Sequence, residues 1–105
     1  MRAARAIPGS GVPRLARGVR LTYDKARDAW ILLAPERVIE ADEIAAEILR
    51  HVDGRKSVDG IVSRLAEDFA SDPTEIRSDV HAFLADLAER RLVEIHDPGA
   101  DRSSR

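Results

Sequence analysis

The chain has 105 residues, 44% of them hydrophobic and 34% charged, with a formal charge of −2 at pH 7 and no cysteine. That is enough chain for one hydrophobic core, too little for two, and too apolar for a disordered protein. Without cysteine there is no disulfide framework, thiolate metal site or cysteine nucleophile, and so small a net charge gives no basis for tight nonspecific binding to nucleic acid or membranes.

Aromatic residues are only 4%, so the core must be built from Ile, Leu, Val and Ala. No stretch approaches the roughly 20 apolar residues that span a bilayer. The composition fits a reducing cytoplasm. Five arginines (Arg2, Arg5, Arg14, Arg17, Arg20) and no acid fall in the first 20 residues. Pro8, Gly9, Gly11 and Pro13 prevent an amphipathic helix there, so residues 1–14 are expected to be a flexible basic arm. The single domain is expected over 15–96, followed by a disordered polar tail over 97–105.

Val19, Leu21 and Tyr23 alternate with Arg20, Thr22 and Asp24, the period of a half-buried strand. Lys25 to Asp28 make the turn. Trp30 to Leu33 form the returning strand, whose continuous apolar character predicts a central position. Trp30, the only tryptophan, reads most simply as a core anchor. Pro35 cannot donate to a ladder and marks a strand end or a bend at a sheet edge. Arg37-Val38-Ile39-Glu40 then makes a third, outer strand.

Three helices follow. Asp42 caps the first, with Ile44, Ala45, Ile48, Leu49 and Val52 on one face and Asp53-Gly54 as its stop. Ser57 caps the second, with Val58, Ile61, Val62, Leu65 and Phe69 inward. Asp72-Pro73-Thr74-Glu75 is the strongest local signal, an acid cap, a proline in the first turn and a glutamate placed to reach back. The third helix runs to about Arg90, with Ile76, Val80, Phe83, Leu84 and Leu87 inward. Leu92 to Ile95 close the domain as a last short strand. The sum is a small α+β domain with the outline of a winged helix.

No catalytic constellation emerges from this arrangement. His51, His81 and His96 lack a metal-binding spacing, and His81 reads as a solvated edge residue. Glu75 and Asp79 lie one helical turn apart, where two acids ordinarily face water. Ser57 and Ser63 have no base beside them, and Gly54 and Gly60 make no phosphate loop. The chain reads as a noncatalytic binding module with no cofactor. A DNA-binding regulator is the alternative the outline allows. Its recognition helix, however, would present Glu75, Asp79, Asp86 and Glu89, with Arg77 the one base in its first half, and acids there repel phosphates.

The outer strand offers another use. An edge strand leaves amides and carbonyls unpaired, and beside an apolar helix it can capture an extended peptide by strand addition. Equally, Arg37 and Glu40 can serve only to keep that edge soluble. Both readings stand on the residues alone.

The residues assembled so far resemble the PqqD family of pyrroloquinoline quinone biosynthesis. The resemblance rests on W-x-L-L-x-P-E (Trp30, Leu32, Leu33, Pro35, Glu36), A-x-x-I-L-x-x-x-D-G (Ala45 to Gly54) and D-V-x-x-F-L (Asp79, Val80, Phe83, Leu84). It spans roughly residues 13–95. Where the family often has P-E-G this chain has Arg37, and its frequent L-N-x-T-A reads Ala41-Asp42-Glu43-Ile44-Ala45. The resemblance implies a peptide chaperone that binds the precursor peptide PqqA and presents it to the radical SAM enzyme PqqE. It implies a peptide site made by Arg37, Val38, Ile39 and Glu40 on the strand and by Asp79, Val80 and Phe83 on the helix. Pairing of the same edge with a second copy would give a homodimer.

Overall fold

The computed structural model of the protein describes residues 7–98. Eight elements follow one another: β1 (Val12–Leu15), β2 (Arg20–Asp24), β3 (Ala29–Ala34), β4 (Arg37–Ala41), α1 (Glu43–Arg50), α2 (Val58–Phe69), α3 (Pro73–Glu89) and β5 (Val93–His96). Strands β2, β3 and β4 form an antiparallel meander with β3 in the middle, and β1 pairs with β5 in a separate two-stranded ribbon. The α+β class and the strand and helix order from Arg20 onward agree with the sequence reading.

Alternation divides the meander into two faces. Register aligns Leu21, Leu32 and Ile39 across the sheet, and likewise Tyr23, Trp30 and Ala41. These side chains share the face on which Leu32, only 1% exposed, joins the core. Thr22, Ile31 and Glu40 align on the opposite face, as do Arg20, Leu33 and Val38. Ile31 is buried there between strand neighbours, yet lies outside the main core cluster. The proline that interrupts the apolar run sits at the tip of the β3–β4 hairpin. Pro35 and Glu36 make a two-residue turn, and proline's fixed φ suits its first corner.

The helices close over the inner face. Asp42 accepts from the Ala45 amide, Ser57 from Gly60 and Asp72 from Thr74, so each predicted cap operates. Ile48, Leu49, Val58, Ile61, Val62, Leu65, Val80, Leu84 and Leu87 are all buried in one cluster with Leu32, Leu92 and Val93. The end of α1 differs from expectation. The helix stops at Arg50 with His51 as its cap, and Gly54, at φ +77°, instead serves the next turn. The carboxylate of Asp53 organises that turn, accepting from the Arg55 and Lys56 amides at 2.9 Å each and from Lys56 Nζ at 3.1 Å.

The N-terminal boundary also differs. Residues 7–14, expected in a flexible arm, belong to the fold. Ile7 is buried, Pro13 is fully enclosed, and β1 lies antiparallel to β5 with Arg14 opposite Glu94. Loop amides hold the outer side of this segment, Gly54 donating to the Pro13 carbonyl at 3.1 Å and Val58 to that of Gly11 at 2.8 Å. At the other end Ser10 Oγ donates to the Asp97 carboxylate at 3.1 Å, so Asp97 meets the fold as well. Residues 1–6 and 99–105, the rest of the expected arm and tail, lie outside the described residues.

Candidate functional site

Strand β4 is an edge of the meander, and its register fixes which of its backbone groups are free. A two-residue turn makes its flanking residues, Ala34 and Arg37, a hydrogen-bonded pair. Alternation then makes Leu32–Ile39 and Trp30–Ala41 bonded pairs as well. The β2–β3 ladder agrees, because the bonded pairs counted from its own turn, Asp24–Ala29, Thr22–Ile31 and Arg20–Leu33, leave Trp30, Leu32 and Ala34 to bond β4. Arg37, Ile39 and Ala41 therefore spend their amides on β3. Val38 and Glu40 turn theirs outward. Among the described residues no backbone hydrogen bond ties either one to another segment.

Side chains alternate in the same way. Ile39 packs half-buried against the core, whereas Val38 is 51% exposed on the opposite face. Arg37 shares the inner face and reaches the last turn of α3, where its guanidinium donates to the Arg90 carbonyl at 3.2 Å. That bond ties the start of β4 to the end of α3. On α3 itself Val80 is buried, Phe83 half-buried and Asp79 exposed.

A cleft of about 450 Å³ opens between α1 and the first half of α3. Asp79 and Val80 line it, together with Trp30, Ile44, Phe69 and Ile76. Neither Phe83 nor any residue of β4 lines it, so the expected site residues fall on two surfaces: the β4 edge, and a helical cleft beyond it. The sequence reading missed Trp30, Ile44 and Phe69 as surface residues. Ile44 is 71% and Phe69 56% exposed, although helical periodicity places both inward. Trp30 is half-buried rather than enclosed; Tyr23 meets its ring edge-on with centroids 5.3 Å apart, and the Arg50 guanidinium lies 4.8 Å over it.

Among the described residues no cluster of three or more metal-ligating side chains occurs, and no helix is long and apolar enough to cross a membrane. His81 is half-buried with its Nε2 enclosed and without a protein partner, not a solvated edge residue. Arg77, the one base in the first half of α3, is paired with Asp59, and Arg90 with Asp86 at 3.3 Å. The base in the first half of α3 and the one just past its end are thus engaged by acids.

The fold has counterparts among known proteins. Residues 29–93 match the family described as coenzyme PQQ synthesis protein D, PqqD. A protein of Xanthomonas oryzae pv. oryzae named PqqA binding protein is 46% identical over 89 residues, 85% of this chain and 97% of its own length. The bifunctional coenzyme PQQ synthesis protein C/D of Methylorubrum extorquens is 45% identical over 89 residues, 24% of that longer protein. Among solved structures, the PqqD portion of Methylobacterium extorquens PqqCD superposes with a TM-score of 0.74 at 45% identity, covering 85% of this chain and 95% of that one. It is described as a functional, stand-alone recognition element for ribosomally synthesized and post-translationally modified peptides. PqqD from Xanthomonas campestris gives 0.53 at 40% identity, covering 88% and 97%. With the family match, the close relatives and the shared fold together, this chain belongs to the PqqD family.

Proposed function

We propose that this protein binds the PqqA precursor peptide as an added strand on β4 and presents it to the radical SAM enzyme PqqE. The observation that carries the reading is the outward pair of backbone amides and carbonyls at Val38 and Glu40 on the β4 edge of the meander, in a chain whose relatives include proteins named PqqA binding protein. Two residues with one N–H and one C=O each offer four hydrogen bonds to a strand laid antiparallel. At about 0.5–1.5 kcal/mol apiece these supply a few kcal/mol. One apolar peptide side chain buried against the adjoining surface adds about 1.5–3 kcal/mol. Ordering the peptide returns several kcal/mol, so these contacts alone give a weak complex, and side-chain contacts beyond the strand must supply the rest if affinity is to reach the roughly −8 kcal/mol of the micromolar range.

Function in this scheme is positional. The protein holds a flexible peptide extended and lowers the entropy that PqqE must otherwise overcome; the carbon–carbon bond between the glutamate and tyrosine of the peptide is made by PqqE. The test is a reconstitution. PqqA, PqqE and SAM should give crosslinked peptide, identified by its mass, faster when this protein is added. PqqA and SAM with this protein alone should give none. Product without PqqE, or no change in rate on adding the protein, would contradict the proposal.

A further inference from the structure

Ile44 and Phe69 are the two most exposed large apolar side chains among the described residues. They come from different helices, α1 and the end of α2, and both face the cleft floored by Trp30. Its rim is charged: Glu43, Glu47 and Asp79 supply three carboxylates and Arg50 one cation. Arg50 is already engaged, bonded to Glu47 at 2.7 Å and stacked over Trp30. Glu43 and Asp79 have no ion pair among the described residues. A neighbouring hollow shares Trp30 and Glu43 with the cleft and adds Glu40, Asp42 and Asp28, so acidity extends from the end of β4 to Asp79 on α3. An aromatic floor that already accepts one guanidinium, apolar walls and unpaired carboxylates together fit a side chain pair that is greasy and positive. The location is equally specific. Glu43 lies two residues past Ala41, so a chain paired along β4 reaches the cleft as soon as it leaves the strand.

We propose that this cleft is a second anchor for the bound peptide, taking an apolar side chain with a neighbouring lysine or arginine just outside the strand-paired segment. The inference rests on the strand-addition reading and adds what that reading lacks, a source of side-chain specificity. Backbone pairing at Val38 and Glu40 is indifferent to sequence. The cleft is not. The carboxylates of Glu43 and Asp79 are exposed, so their contribution falls as salt screens them over about 10 Å at 0.1 M.

Trp30 is the only tryptophan of the chain, which makes it a single-site reporter. Protein labelled with 5-fluorotryptophan is titrated with synthetic PqqA and followed by fluorine NMR, and affinity is measured by calorimetry at low and high salt. The fluorine resonance should move on binding. A Glu43→Gln/Asp79→Asn variant should bind about tenfold more weakly at low salt and lose most of the salt dependence. Ile44→Ser, a change at an exposed position, should weaken binding at both salts. Among peptides with each Lys or Arg changed singly to Gln, one should show the same loss and add nothing to that of the carboxylate variant.

Three other outcomes separate the two readings. An unmoved resonance with wild-type affinity in the carboxylate variant, while Val38→Pro weakens binding, leaves the strand reading standing and overturns the cleft. Loss in the carboxylate and Ile44 variants with none in Val38→Pro keeps the cleft and overturns strand addition. No saturable binding of PqqA by the wild type overturns both.

Discussion

Asp53 shows how one exposed side chain secures a turn. Hydrogen bonds from the Lys56 and Arg55 amides, supported by the Lys56 ammonium, hold its carboxyl well below the usual carboxylate range. Because the folded value lies below the unfolded value of 3.8, the charged form favours the native state. That stability is fully present above the unfolded value and is lost as pH falls through the folded one. Asp53→Ala should therefore cost stability at neutral pH, about 0.5–1 kcal/mol given the exposure of the group. In urea titrations the gap between variant and wild type should narrow as the pH drops below about 4; a gap that stays constant into acid would mean that charge is not the cause. Trp30 carries the opposite lesson about single residues. A run such as Trp30-Ile31-Leu32-Leu33 reveals a central strand but not which of its faces a helix covers, or how far. Leu32 lies under the helices, whereas Trp30 reaches past them. Ile44 and Phe69 misled for a related reason: near a helix end the apolar stripe continues while the core beneath it has stopped. Leu32→Ala should cost about 2–5 kcal/mol in thermal or chemical unfolding, and more than Ile44→Ala, which removes an exposed side chain; equal costs would contradict the burial pattern.

At the scale of elements, caps and periodicity made the helices and the β2–β4 meander readable, because each rests on signals within a few residues. Strand β1 was not readable. It has four residues, one a proline, and its partner β5 lies about eighty positions away, so no local pattern announces it. Pro13 is tolerated because proline needs no ladder donor at such a site. The expected peptide edge was legible as an edge, but the register decides which residues act. Val38→Pro should leave the β3–β4 ladder intact and keep a native circular dichroism spectrum while weakening PqqA binding. Ile39→Pro removes an amide bonded to β3 and should unfold or strongly destabilise the domain. The reverse order of severity would mean that the register is shifted by one. The turn after α2 makes a further prediction. Ala70 caps that helix in the left-handed region at φ +50°, where a Cβ is unfavourable. Ala70→Gly should raise stability by about 0.5–1 kcal/mol, seen as a thermal midpoint a few degrees higher; a lower midpoint would show that the methyl group contributes more than the strain costs.

Across the whole molecule, a small aliphatic core supports two surfaces that meet where β4 passes into α1. In the proposed scheme the sheet edge would be indifferent to sequence and the cleft selective, a division that would let a small domain grip a flexible peptide without enclosing it. Acids on two helices bear on the DNA alternative: Asp59 on α2 pairs with Arg77 and Asp86 on α3 with Arg90, so neither cation is free to meet a phosphate. What remained illegible in the sequence was the cleft, since it is assembled from β3, α1, α2 and α3 and no one of them shows it. The central claim is that PqqA becomes a fourth strand of the meander, and amide hydrogen exchange followed residue by residue by NMR tests it most directly. In the free protein the Ile39 amide should exchange slowly, while those of Val38 and Glu40 exchange fast. With PqqA at saturation, Val38 and Glu40 should become protected and Ile39 should change little. Val38 and Glu40 amides that still exchange at their free rates in the saturated complex would contradict strand addition at β4.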